Sequence, residues 1–279
     1  MPLSEKTSER PDEFRYQAEK EFHDRWAREV DFDHLIPHRV FNCPVIPESR
    51  YSIECLGGLK GKRVLDLGCG YGETSVYLAL QGAKVDAVDI SPEMTRLTQA
   101  LARKYWVEDA VAASVQNAEE LSFEEDRFDL VYGQDVLHHT KLERSLPEIY
   151  RVLKKGGRGC FCEPLGHNVI INFFRQLSPE VRTEDEHPLR MKDIERFSTK
   201  FQYVRHLEFH LFTLALFFWF QLLDLLQRKK GGRPWKRIIE ESHRYRWSFQ
   251  ILFGLDKCLF TLFPFMKRYC RMTVISFSK

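Results

Sequence analysis

A chain of 279 residues can bury one large core, or one core with a cap, but is short for two independent domains. Its 42 lysines and arginines against 40 aspartates and glutamates leave a formal charge of +2, so no global field draws it onto nucleic acid and a DNA or RNA partner is not expected. The polar opening MPLSEKTSERPDEF has neither the apolar core of a secretory leader nor the acid-poor pattern of a transit peptide, which points to the cytoplasm.

From Pro11 onward, Phe14, Ala18, Phe22, Trp26 and Val30 recur every four residues and predict an amphipathic helix with one buried stripe. A proline-bearing loop follows, then a short helical piece around Tyr51 to Leu56 closed by Gly57-Gly58. Residues 1–58 thus read as an N-terminal helical cap, and 59–279 as the main domain.

From Lys62 the apolar runs RVLDLG, KVDAVDI, AVAASVQN, FDLVYGQ and GRGCFCEP alternate with helical segments. That is the pattern of an α/β domain, a mostly parallel sheet with helices on both faces. Ser91-Pro92 predicts an N-cap and a proline at the first helical position, with Met94, Leu97 and Leu101 on one buried face. Ser145 and Glu148 have capping-box spacing before Ile149, Val152 and Leu153, and Gly156-Gly157 would end that helix.

After Pro164 the alternation stops. Phe201 to Phe212 and Cys270 to Lys279 read as two more strands that pair with each other, which makes seven. Between them, about 212–268, lies a hydrophobic helical insertion divided at Gly231-Gly232. Its run LFTLALFFWFQLLDLL is apolar on every side yet short of the roughly 20 residues that span a bilayer. Arg228, Lys229, Lys230, Arg233, Lys236 and Arg237 follow, with Trp235 among them, which fits an interfacial element. The insertion is either a cap alone or a cap with peripheral membrane contact through 211–237. Both readings favour a small hydrophobic or lipid-like ligand.

The stretch VLDLGCGYGET places Gly68, Gly70 and Gly72 at alternate positions where a strand turns into a helix. Such a turn brings bare backbone N–H groups and the positive end of a helix dipole beside a ligand. The next strand ends in Asp89, about 20 residues after the first glycine, where a carboxylate can accept hydrogen bonds from ribose hydroxyls. A dinucleotide site would want a small third residue near the pyrophosphate, but Glu73 stands there.

The spacing Asp66-x-Gly68-x-Gly70-x-Gly72 resembles the class I S-adenosylmethionine-dependent methyltransferases, and VDAVDIS, QNAEELSF, FDLVYGQDVLHHT and RVLKKGGRGCFCEP follow in that family's order from Lys62 to Pro164. The resemblance implies a Rossmann-like fold and S-adenosyl-L-methionine as cofactor. It implies cofactor contacts from Asp66, Gly68, Cys69, Gly70, Gly72, Asp89, Ile90, Met94, Asn117, Ala118, Glu119 and Gln134, the last group of three before Gln134 flanking the adenine.

A sulfonium methyl is already electrophilic, so the enzyme's task is to hold a nucleophile in line with it, with a base only where the acceptor must lose a proton. His138 and His139 after the fourth strand, and Glu163 and His167 after the fifth, are the candidates, with loop packing as the alternative for the histidine pair and helix capping for Glu163. His206, Glu208 and His210 alternate like a metal triad, but Leu207, Phe209 and Leu211 on the other face suggest an amphipathic edge strand. Seven cysteines without a Cys-x-x-Cys pair read as reduced core residues, and no metal is expected. The expected function is methyl transfer, first to oxygen. The rivals are a nicotinamide-dependent oxidoreductase and a non-catalytic membrane-associated cofactor-binding protein.

Overall fold

In a computed structural model, the protein is described over residues 12–177, 182–183, 185–216, 218–219, 239 and 241–279. The predicted turn at Gly231-Gly232, the basic run from Arg228 to Arg237 and most of the 211–237 region lie outside the described residues.

Seven strands form one sheet: β1 (Arg63–Leu67), β2 (Lys84–Asp89), β3 (Val111–Val115), β4 (Phe128–Gln134), β5 (Leu153–Pro164), β6 (Gln202–Phe209) and β7 (Met272–Ser278). Their order is β3-β2-β1-β4-β5-β7-β6, parallel except for β7, which runs antiparallel between β5 and β6. The last two strands pair as expected, and β7 also closes onto β5. Leu67, Asp89, Gln134 and Pro164 therefore reach one edge of the sheet, and the strand order switches sides between β1 and β4. Val64, Leu65, Leu67, Val131, Tyr132, Cys160, Phe161 and Cys162 are buried within it. A strand covered on both faces needs such a continuous apolar run.

The helices are α1 (Asp12–Glu29), α2 (Pro37–Phe41), α3 (Pro47–Leu56), α4 (Glu73–Leu80), α5 (Pro92–Lys104), α6 (Leu142–Val152), α7 (Val169–Leu177), α8 (Met191–Phe197) and α9 (Ser242–Leu262). Ser91 caps α5 as expected, accepting the Met94 N–H at 3.1 Å with Pro92 in first place. Gly57, at φ +78°, stops α3. α3 packs on β5 and β7 as part of the helical layer, whereas α1 lies against α5.

Four expectations are corrected. The buried face of α1 comprises Arg15, Glu19, Phe22 and Ala27, and Phe14 is 70% exposed, because polar partners on the domain draw the helix round. α6 begins at Leu142, so Ser145 lies inside it. Ser145 Oγ meets Thr140 Oγ1 at 3.0 Å, while Glu148 accepts the Leu121 N–H and pairs with Arg151. The same helix ends at Val152, and Gly156-Gly157 belong to β5. In β6 burial does not follow the alternation: Glu208 and Phe209, on opposite faces, are both 3% exposed, while Leu207 is 38% exposed. Glu208 there takes hydrogen bonds from His206 and Thr273. His210, just past β6, places Nε2 2.8 Å from Glu48 of α3 and Nδ1 2.9 Å from Thr213. Asp256 of α9 accepts the N–H groups of Leu211 and Phe212. These buried polar contacts join α3, β6 and α9, and a buried polar group holds its place only when so partnered.

The glycines of the loop after β1 are needed for different reasons. All three have positive φ, but a Cβ on Gly68 would lie 2.7 Å from Val136 and one on Gly72 2.6 Å from the Thr98 backbone. A Cβ on Gly70 would meet nothing within 4 Å. Gly72→Ala should therefore cost more than about 2 kcal/mol, strain plus a backbone clash, and Gly70→Ala only about 1 kcal/mol for its φ. Urea denaturation of the two variants checks that order.

Candidate active site

The loop from Gly68 to Gly72 leads from β1 into α4, with Gly72 in the left-handed region as the N-cap. It folds onto β2: Gly68 and Cys69 donate to the Val88 carbonyl at 2.8 and 2.9 Å. Asp89, at the end of β2, ties two loops together, accepting the Gly70 N–H at 3.0 Å and the Ser91 N–H at 2.9 Å. Asp66 is buried and accepts from Ser75 Oγ. Burial raises its pKa to about 7. Cys69 Sγ lies 3.4 Å from Thr98 Oγ1, and burial pushes its thiol well up, so it is inert packing under the loop. Gln134 accepts from the Tyr132 hydroxyl at 3.0 Å. Glu73, in the position that argued against a pyrophosphate, accepts the Ile36 N–H at 3.0 Å.

Two predicted contacts are engaged with α1. Met94 packs with Leu97 against Ala27, Trp26 and Val30. Glu119, predicted along the adenine edge, has both oxygens occupied by Arg15 Nη2 at 2.7 Å, the Tyr16 hydroxyl at 2.8 Å and the Lys141 N–H at 2.8 Å. Its carboxylate docks the helix, a correction to the adenine role for that side chain. Asn117 accepts the Glu119 N–H and shapes this turn, with Ala118 and Ile90 half-buried beside it.

The cofactor-loop residues fit S-adenosylmethionine on one structural point above the rest. Gly70 presents bare backbone to open space while its neighbours are close-packed, and the only carboxylate bonded to that backbone is Asp89 among the described residues.

The two histidines sit in the turn Leu137–His139 after β4. Glu163, fully buried at the end of β5, accepts the N–H groups of Val136, Leu137 and His138 at 3.0, 2.8 and 3.3 Å, and His138 Nδ1 lies 2.8 Å from it. Burial raises Glu163 to about 7 and lowers His138 to about 4, so the pair rests without a full charge separation. Glu163 thus holds the turn, and His138 is locked to it.

His139 faces α1. Its Nδ1 lies 3.1 Å from Glu19, which also accepts from Thr183 Oγ1 and has His23 Nε2 3.6 Å away. Burial works against the Glu19 charge, but His139, His23 and Thr183 together hold its carboxyl well below the usual range. Burial, with His138 alongside, lowers His139 to about 4. An ionised carboxylate only accepts, so His139 carries its proton on Nδ1 and leaves Nε2 as a lone pair. Arg15 Nη1 adds a bond to the His139 carbonyl at 2.9 Å, and Ser91 Oγ donates to Asp24.

The structure brings His138, His139 and Glu163 together and leaves His167 apart. The His167 ring accepts the Met191 N–H at 3.1 Å at the start of α8, so it is corrected from catalytic candidate to cap. Sequence reasoning missed Arg15, Glu19 and His23, although they recur at a four-residue spacing beside the apolar stripe of α1. It also missed Glu186, which pairs with Arg175 and lies 3.7 Å from His138 Nε2, and Asp135, whose φ of +53° is rare for a residue with a side chain. Glu19, His23 and His139, or His138, His139 and Glu186, place ligand atoms within 4.8 Å of one another, but the hydrogen bonds above already account for these groups.

Residues 65–161 match the family model of a methyltransferase domain. A sarcosine/dimethylglycine N-methyltransferase of Halorhodospira halochloris is 32% identical over 129 residues, 44% of this chain and 46% of that one. A ubiquinone/menaquinone biosynthesis C-methyltransferase of Psychromonas ingrahamii is 34% identical over 113 residues, 39% of this chain and 45% of that one. The chain thus spans about half the length of these relatives. Among solved structures, phosphoethanolamine N-methyltransferase 2 of Haemonchus contortus aligns over 93% of this chain and 59% of its own, with TM-score 0.61 and 20% identity, and so shares the fold. Residues 65–161, which carry the glycine loop, are thus a methyltransferase domain, and over that span the chain is similar to S-adenosyl-L-methionine-dependent methyltransferases.

Proposed function

We propose that the whole chain is an enzyme that moves the methyl group of S-adenosyl-L-methionine to a small hydrophobic or lipid-like acceptor, first of all to oxygen. The bare backbone at Gly70, bonded to Asp89, carries the cofactor half of this reading. Gly68, Cys69, Gly70 and Gly72 would let the amino-acid end come close to their backbone, and Asp89 would hold the ribose. Ile90, Met94, Asn117 and Ala118 would surround the base, with Asp66 and Gln134 supporting from the strand ends. When bound, the cofactor supplies a methyl group activated by a sulfonium centre.

The chain's own residues then orient the acceptor, exclude water and take a proton. His139 would be the base: Glu19 fixes its Nδ1–H, and Nε2 remains to accept the proton of a hydroxyl or phenol. His138 and Glu163 are positioning residues that hold the turn on which His139 sits. α1 would serve as a lid, since Arg15, Tyr16 and Glu19 join it to both the adenine-side turn and the histidine turn. The relatives' names cover nitrogen, carbon and oxygen acceptors, so the choice of oxygen rests on this neutral histidine.

Calorimetry with S-adenosylhomocysteine should show binding that Asp89→Ala weakens by roughly ten- to a hundredfold, the worth of lost hydrogen bonds to a charged group. A well-folded wild-type chain that ignores the ligand sinks the reading. An NMR titration should find the His139 ring unprotonated until the pH falls to about 4. Glu19→Gln removes a negative neighbour that favours the imidazolium, so the midpoint should drop further. A midpoint above neutrality would mean an ion pair instead of a base. With methyl-labelled cofactor and a lipid extract, label should enter a lipid-soluble product, and His139→Ala should slow this by about 10²–10⁴-fold.

A further inference from the structure

The helix α9 carries apolar side chains on two opposite faces. Phe249 is buried, Phe253 stacks on Phe209 with ring centroids 6.3 Å apart, and Asp256 is buried beside Phe212, which defines the inward face. At 100° per residue the far side carries Trp247, Ile251, Leu255 and Leu262, which are 77, 65, 51 and 69% exposed. A helix of ordinary globular character is polar on the side away from its core.

This outer stripe does not stop at the helix end. Phe263 and Phe265 are 48 and 57% exposed in the turn that follows. That turn is tied to the start of α7, where Asn168 Nδ2 donates to the Tyr269 carbonyl at 2.7 Å, and there Val169 and Ile170 are 75 and 56% exposed. α7 begins just past Pro164, the end of β5 at the catalytic edge. Exposed apolar side chains thus occur on α9, on the turn that continues it and on the start of α7 to which that turn is bonded.

Charge identifies what covers it. From Ser242 to Tyr269 five basic residues, Arg244, Arg246, Lys257, Lys267 and Arg268, stand against a single acidic one, Asp256, which is buried. A second copy docked on the same face by two-fold symmetry would bring ten cations together, so self-association is disfavoured. An apolar stripe with a cationic border suits the interface of a bilayer rich in anionic lipids. No helix among the described residues is long and apolar enough to cross a membrane, so α9 would lie in the surface plane.

We infer that the outer face of α9, with the Phe263–Phe265 turn and the start of α7, is a docking surface for an anionic lipid bilayer, placed so that the acceptor entrance opens toward the membrane. Bilayer docking stands on this surface alone and does not require the methyl-transfer reading.

The test uses the full chain and cosedimentation with vesicles of phosphatidylcholine, alone or mixed with phosphatidylglycerol. The wild type should bind the mixed vesicles, lose binding as salt is raised, and bind about tenfold or more weakly as the Ile251→Glu/Leu255→Glu variant. S-adenosylhomocysteine binding and melting temperature of the variant should be unchanged. If that variant misfolds, the face is packed within the chain and the inference falls. Arg246→Glu/Lys257→Glu, which alters only exposed residues, gives an independent reading and should also abolish the preference for phosphatidylglycerol. Equal binding by wild type and both variants, or a wild-type dimer that the first variant splits without any vesicle binding, overturns the inference.

Discussion

The site depends on the carboxylate of Glu163. It sits with no solvent exposure at the end of β5 and gathers three consecutive backbone N–H groups from the turn after β4. Without such an acceptor those donors would be buried and unpaired, at about 1–3 kcal/mol each. Because the turn is held there, His138 falls against Glu163 and His139 is left facing outward to α1. The remaining contacts follow in order: Glu19 meets His139 and Arg15 meets Glu119, so α1 is joined to the turns after β3 and β4.

The contact between α1 and the domain is mainly polar at one end and apolar at the other. Phe22 and Ala27, with Met94 and Leu97 beneath, provide ordinary burial. The Arg15–Glu119 pair adds little net stability, because removing two charges from water offsets much of their attraction. It adds register, since a guanidinium bonded to both Glu119 and the His139 carbonyl admits one placement of the helix. A helix held this way is specific in its placement and inexpensive to release.

The parts of the molecule legible in the sequence are those set by local rules. The strand alternation, the Ser91 cap and the glycine loop each depend on residues within a few positions, and the structure contains all three. Arg15 and Glu19 were not legible because their partners lie 104 and 120 positions away, and an exposed-looking charge acquires meaning only from what it meets. The same limit applies to β6. Alternation divides a strand into two faces, but Glu208 is buried because Thr273 of β7 partners it, a contact 65 positions away. His167 looked catalytic by position and is a cap because its ring finds the Met191 N–H first.

The division between readable and unreadable regions has a chemical cause. One cofactor demands one backbone path, so the match to a methyltransferase domain covers residues 65–161 and ends before Pro164. Acceptors share no common shape, and α1, α7, β6 and α9 all lie outside the matched span. Of these, α1 supplies the carboxylate that orients His139 of the matched domain, and α9 carries exposed apolar side chains with basic residues nearby. A water-soluble acceptor would gain nothing from the second feature, whereas one dissolved in a bilayer could reach the first only if the entrance sat at the lipid surface.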